Sequence, residues 1–221
     1  MAKTYGTVNL ISSLGFSHLW RRACVQTLKL EPGHICADLM CGMGEATTLM
    51  LKATGSNLVV EAIDFCPEMT KRCQATMIRK GIGHVSVHTR NVFEAPRKSI
   101  YDRICCSFGL KTFDDDQLRR FSTLIADLLT PDGRASFVEI HVPSNLVLRA
   151  IFLFYIRHII PAIGRLCLGD PSCYRYLALY TEDFARRDFF AEYLHEAGLQ
   201  VNTRSLFFGC AKIYVAEKRR S

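Results

Sequence analysis

Paired cysteine spacing is missing from this sequence: none of its ten cysteines forms a CxxC pair, and the seven histidines show no ligand spacing near them. No structural zinc or other metal site is therefore expected. Their density is also too low for a disulfide scaffold. Cys36, Cys105 and Cys106 sit inside apolar, strand-like runs, where a reduced thiol packs as a small hydrophobe. A reducing compartment, the cytoplasm, is expected. The opening stretch MAKTYGTVNLISSLGF has neither an apolar signal-peptide core nor an Arg-rich transit pattern. There is no uninterrupted spanning run either. The most apolar segment, 146–163, is broken by Arg149, Arg157, His158 and Pro161, and each Arg at mid-bilayer costs about 2.5 to 3.5 kcal/mol. Such a segment is expected to lie along a membrane surface or to cover an apolar pocket, not to span. Strong charge bias is absent: 28 Lys and Arg against 21 Asp and Glu leave +7. Only Lys218-Arg219-Arg220 form a basic cluster, and no Asn/Asp-Pro-Pro-Tyr/Phe motif occurs, so nucleic acid is not expected as a partner.

What remains is a globular composition, 49% apolar and 22% charged over 221 residues, enough for one α/β domain over 1–221. Apolar runs of four to eight residues alternate with amphipathic stretches, the pattern of βαβ units. Strands are expected at 34–39, 57–63, 84–88, 103–108, 135–140, 199–206 and 211–216. Helices are expected over 18–30, from Glu45, over 67–80, from the acidic cluster Asp114-Asp115-Asp116 to just before Pro131, and over 182–197. The fold class is thus α/β, a Rossmann-like, seven-stranded, mostly parallel sheet. It ends in an antiparallel C-terminal hairpin and carries a helical cap insertion after strand 5, at about 144–180. Four residues join the last two strands, which suits a hairpin.

The run Asp38-Leu39-Met40-Cys41-Gly42-Met43-Gly44-Glu45 follows a strand and opens a helix. Its glycines let backbone approach a ligand at the carboxyl edge of the sheet. The third glycine of GxGxxG is absent and Glu45 intrudes, which disfavours pyrophosphate and suits a cation. Asp64 closes the second strand 20 residues after Gly44, where a carboxylate meets ribose hydroxyls. Phe65 is placed to pack on adenine, and Asn91, at the end of the third strand, to read its edge. An adenosine ligand with a cationic group near Asp38 and Glu45 is S-adenosylmethionine (SAM).

Here the chain resembles the class I methyltransferases and, within them, the ubiquinone and menaquinone C-methyltransferase family (UbiE-like). The resemblance runs nearly end to end. It is carried by Tyr5 with Asn9, His18-Leu19-Trp20-Arg21-Arg22, Ser107-Phe108-Gly109-Leu110, His158-Ile159-Ile160-Pro161 with Ile163-Gly164, and Cys173-Tyr174-Arg175-Tyr176-Leu177. It implies cofactor contacts at Met43, Asp64, Asn91, Val92 and Ser107, beside Gly42 and Gly44. Four departures from the family pattern stand out. Lys111-Thr112 replaces Arg-Asn, His141-Val142 replaces Ser-Lys, Met43 replaces Thr, and the N-terminus is shorter. They bear on the acceptor, because positions 111 and 141 are expected to face it.

Methyl transfer from a sulfonium needs alignment more than covalent help, and an aromatic carbon acceptor is activated when a ring hydroxyl loses its proton. His141 is the first candidate base. Lys111 is the candidate for holding a phenolate, and Tyr5, Tyr174 and Arg175 for orienting the acceptor. Each also has a plain structural reading. Three functions follow: C-methylation of a hydrophobic, quinol-like acceptor, O- or N-methylation of another small metabolite, and SAM binding without transfer. The apolar run 150–156 and the basic excess point to contact with a membrane surface.

Overall fold

The computed structural model describes residues 15–55, 57–94, 99–163 and 172–219, except for the side chains of 172–175. Its elements in chain order are α1 (Phe16–Thr27), β1 (Ile35–Leu39), α2 (Glu45–Ala53), β2 (Val59–Asp64), α3 (Pro67–Arg79), β3 (Val85–Thr89), β4 (Tyr101–Ser107), α4 (Asp115–Leu128) and β5 (Leu129–Ile140). There follow α5 (Leu146–Phe154), running on through a π-helical turn (Tyr155–Ile159), then α6 (Ser172–Arg187), α7 (Phe190–Glu196), β6 (Gln200–Leu206) and β7 (Ala211–Glu217).

The seven strands form one sheet in the order β3-β2-β1-β4-β5-β7-β6. The pairs from β3 through β5 are parallel, and β7 runs antiparallel to both β5 and β6. The seven expected strands and the C-terminal hairpin are all present. The order reverses between β1 and β4, so a crevice opens at their carboxyl ends, where open α/β sheets bind ligands.

Both faces of the sheet are covered, which is why its central strands read as continuous apolar runs. On one face α4 and α7 lay Phe121, Leu124, Phe190 and Leu194 against Tyr101, Phe137 and Tyr214. On the other, α1, α2 and α3 pack Trp20, Leu28, Met50 and Met77 against β1 and β2. Cys24, Cys36, Cys73 and Cys105 lie in this second core, and every described cysteine is a free thiol. α4 starts where its acidic cluster predicts. The Asp114 carboxylate accepts from the Gln117 N–H at 2.8 Å while Gln117 Oε1 accepts from the Asp114 N–H at 3.0 Å, a reciprocal cap with Asp115 and Asp116 in the first turn.

Two boundaries differ from expectation. β5 begins at Leu129, six residues before 135, because the Pro131-Asp132-Gly133 turn stays in the ladder as an irregularity. The Asp132 N–H donates to Lys218 O at 2.8 Å and the Lys218 N–H to Gly133 O at 3.0 Å. The helix expected over 182–197 is two helices, α6 and α7, parted at Asp188, whose φ is 36°. The Asp188 carboxylate holds that break by accepting from Lys212 Nζ at 2.6 Å and Tyr214 Oη at 2.7 Å on β7.

The expected cap begins with α5, its first turn closed by Asn145 Oδ1, which accepts from the Val147 and Leu148 N–H groups at 3.1 Å. Its stretch Leu146–Ile163 is long and apolar enough to cross a membrane by length and composition. Most of it is nevertheless exposed: Leu146 is 77% and Ile151 62% accessible, and only Ile156 and Ile160 of its large apolar residues are buried, with Ala178 of α6.

Candidate functional site

A cavity of about 670 Å3 lies over the carboxyl ends of β1, β2 and β4, within the usual range for a small-molecule site. The chain leaves β1 through Met40, at φ 58°, and leaves β4 through Phe108, at φ 64°; both line the cavity. Left-handed backbone at non-glycine residues is uncommon and concentrates at binding sites. The two turns interlock. A Cβ on Gly109 would stand 2.6 Å from Met40 Sδ, so any larger residue there would have to push the Met40 side chain aside.

The two glycines of the first loop do different work. Gly42, at φ 56°, lines the cavity, where a Cβ would meet only Glu45 Oε2 at 3.8 Å. Gly44, at φ 81°, faces away from it, and a Cβ there would strike Cys73 Sγ at 2.6 Å and Met77 Cε at 2.9 Å. Gly44 therefore serves the packing of α2 on α3. Asp38 also stays off the cavity wall. Its carboxylate has no solvent exposure, and Oδ2 accepts from the Thr47 N–H at 2.9 Å and Thr47 Oγ1 at 2.5 Å, stitching α2 to β1. Burial pushes its pKa up to about 7, against the pull of the Thr47 hydrogen bonds.

Asp64, Phe65, Asn91 and Val92 gather at one end of the cavity. Asp64 Oδ2 accepts from the Gly42 N–H and Oδ1 from the Cys66 N–H, each at 2.9 Å. Each oxygen keeps a lone pair for a hydroxyl. The Phe65 ring is 71% exposed beside it, and Asn91 Oδ1 accepts from the Phe93 N–H at 3.1 Å, which leaves its amide NH2 to donate. Met43 and Glu45 line the wall at the Gly42 loop.

Ser107, Phe108 and Lys111 form the other end, together with Ile140 and, from α6, Leu177, while Phe113 packs on Phe93 between the two. Leu177 is the one described residue of the expected cap that reaches the cavity. Lys111 Nζ donates to Glu139 Oε1 at 3.0 Å and to Phe108 O. Glu139 is sealed from solvent and also accepts from the backbone N–H groups of Lys111 and Ile140. His141 is elsewhere. Its Nδ1 lies 3.1 Å from Val142 O and its Nε2 3.4 Å from Asp188 Oδ2, outside the cavity lining. Tyr5 and the side chains of Tyr174 and Arg175 lie outside the described residues. No group of three or more His, Cys, Asp or Glu placed to hold a metal occurs among the described residues.

Sequence reasoning passed over Glu139, and it quoted Arg21 only within the His18–Arg22 motif, without a role. A glutamate inside the apolar run of β5 was the available signal, since a buried charge requires a partner. Arg21 Nε donates to Ser107 Oγ at 3.3 Å, and its guanidinium lies 4.8 Å from the Phe108 ring centroid.

The chain is 26% identical over 223 residues to a demethylmenaquinone methyltransferase of Deinococcus radiodurans, covering 99% of this chain and 90% of the relative. It is 27% identical to the Lactiplantibacillus plantarum protein of the same name, covering 99% and 92%. Among solved structures, a SAM-dependent methyltransferase from Aquifex aeolicus superposes with a TM-score of 0.65 at 15% identity, covering 96% of this chain and 97% of that one. That similarity establishes the fold. The residues present suit the cofactor SAM: Asp64 has open lone pairs toward a ribose, Phe65 and Val92 give apolar walls for a flat base, and charged side chains stand near the Gly42 loop. Residues 1–218 match the sequence model of the ubiE/COQ5 methyltransferase family, and the chain, a SAM-dependent methyltransferase, belongs to that family.

Proposed function

We propose that this enzyme methylates a ring carbon of a hydrophobic, quinol-like aromatic acceptor at a membrane surface. The observation that carries the reading is the continuity of one cavity from its polar Asp64 end to an apolar end formed by Phe108, Ile140 and Leu177, with the Lys111 ammonium in its wall. SAM supplies an electrophilic methyl on a sulfonium. The chain has then to bind and align the acceptor and to hold its oxygen as the proton leaves.

Lys111 is placed for that second task. Among the described residues two of its three N–H bonds go to Glu139 and Phe108, which leaves the third for an acceptor oxygen. Glu139 fixes the ammonium in position. The placement of His141, with both ring nitrogens turned toward Val142 and Asp188, favours a structural role over that of base. A membrane setting is supported by the bare apolar surface of α5, by Arg149 upon it, and by the Phe207–Phe208 turn, where Phe208 is 77% exposed. Gly209 in that turn lies against Pro143 and Ser144, which lead into α5, so the two apolar features adjoin.

The reading is tested by incubating the protein with SAM and a panel of demethylquinols, catechols and simple phenols, and locating the new methyl by mass spectrometry and NMR. Carbon methylation confined to the bicyclic or prenylated quinols supports it. Oxygen or nitrogen methylation replaces it with another small-molecule methyltransferase.

A further inference from the structure

Three cations line the cavity among the described residues: Arg21, Arg90 and Lys111. Two are already neutralised. Arg90 pairs with Glu61 at 3.4 Å and Lys111 with Glu139 at 3.0 Å. Arg21 forms no ion pair among the described residues. Its one hydrogen bond among the described residues is from Nε to Ser107 Oγ at 3.3 Å, and its guanidinium carbon lies 4.8 Å from the Phe108 ring centroid. Both contacts aim the guanidinium while its two terminal nitrogens keep their donors free. A fork fixed in this way suits bidentate capture of a planar anion, and little side-chain entropy remains to be lost on binding.

The position selects the anion. Asp64, Phe65 and Asn91 mark the nucleoside end of the cavity, and Arg21 stands across the Gly42 loop from them, at Ser107 and Phe108. The portion of SAM that extends beyond its adenosine is an amino acid, with one carboxylate and one ammonium. Glu45 lines the same wall and, like Arg21, forms no ion pair among the described residues. The buried Asp38 carboxylate lies close enough to feel both charges, and the positive and negative side chains on the cavity lining together present the complement of a zwitterion.

We propose that Arg21 is the carboxylate-binding residue of the cofactor site, gripping the α-carboxylate of the methionyl group while Glu45 faces its ammonium. This rests on SAM being the cofactor.

Calorimetry with three probes separates the possibilities: S-adenosylhomocysteine, its decarboxylated analogue, which keeps the ammonium, and 5′-methylthioadenosine, which lacks both charges. The wild type should prefer S-adenosylhomocysteine to the decarboxylated analogue by roughly tenfold or more. Arg21→Met should abolish that preference while holding methylthioadenosine affinity within about twofold, the level of a lost carboxylate contact alone. Arg21→Lys, which keeps charge but not the fork, should fall between. Equal weakening of all three probes by Arg21→Met, or a preserved preference, overturns the assignment. If that variant does not fold, a wild type and Arg21→Lys with the same preference overturn it as well. A wild type that binds none of the probes overturns the cofactor reading itself.

Discussion

Lys111 Nζ stands 3.0 Å from Glu139 Oε1, and this ion pair joins the wall of the cavity to a carboxylate with no solvent exposure in the middle of the sheet. A charge buried this way survives only when paired, and deleting one partner costs more than deleting both. Lys111→Met should therefore lower unfolding free energy by about 3 to 5 kcal/mol. Lys111→Met combined with Glu139→Gln should recover most of that stability in a denaturant titration. Turnover should stay low in both, because the donor to the acceptor oxygen is gone. A double variant with normal turnover would remove Lys111 from the chemistry.

Asp64 carries two loads, holding the Gly42 and Cys66 N–H groups and offering open lone pairs to the cavity. Asp64→Ala should weaken S-adenosylhomocysteine binding at least about tenfold by calorimetry, as expected for lost charge-assisted hydrogen bonds. Unchanged affinity would take the ribose role away from it.

The pH dependence of stability has two opposed contributions. Burial alone would raise the pKa of Asp188, but hydrogen bonds from His141, Lys212 and Tyr214 outweigh it and hold the carboxyl at about 2. Its stabilisation is present above the ordinary value of 3.8 and is lost as pH falls toward 2. Asp188→Asn should flatten the acid limb of the unfolding curve. His141→Ala should lower thermal stability while leaving methylation by the folded enzyme near normal.

Asp38 works in the other direction. Its pKa is raised by burial from 3.8 to about 7, so the folded state binds the extra proton and stability declines as pH rises from 3.8 through 7. A shift of that size corresponds to a few kcal/mol at most, about 1.4 for each pH unit. Asp38→Asn keeps an acceptor for Thr47 and should lose this decline, becoming stabilised relative to the wild type at pH 8 and not at pH 4. Parallel curves for the two proteins would show that the carboxyl is not strained by burial.

The exposed face of α5 should govern association with lipid. Ile151→Glu with Phe208→Ser should cut co-sedimentation with anionic vesicles several-fold, by removing buried apolar area, and leave activity on a detergent-dispersed acceptor unchanged. Equal sedimentation of variant and wild type would place the membrane contact elsewhere.

Local chemistry made most of the sheet legible. The apolar runs of β1, β4 and β7, the Asp114 cap and the Gly42 loop each state their structure within a few residues. The parting of α6 from α7 was hidden because Phe184, Arg187 and Phe190 continue a helical pattern, and what breaks it is Lys212 and Tyr214, over twenty residues downstream. Asp38 and His141 carried plausible site chemistry in the sequence. The turn of Asp38 toward Thr47 and of His141 toward Asp188 depends on partners that strand position alone does not reveal. The left-handed backbone of Met40 and Phe108 leaves no mark at all, since neither is the residue type that such a conformation favours.

The most direct test of the account is the fate of a deuterated methyl group, supplied on SAM and offered to a short-chain demethylnaphthoquinol. The account predicts a product with the label on the ring carbon, at a rate that falls steeply in Lys111→Met. A label on a ring oxygen, or a protein that binds S-adenosylhomocysteine tightly and transfers nothing to the quinol, would contradict it.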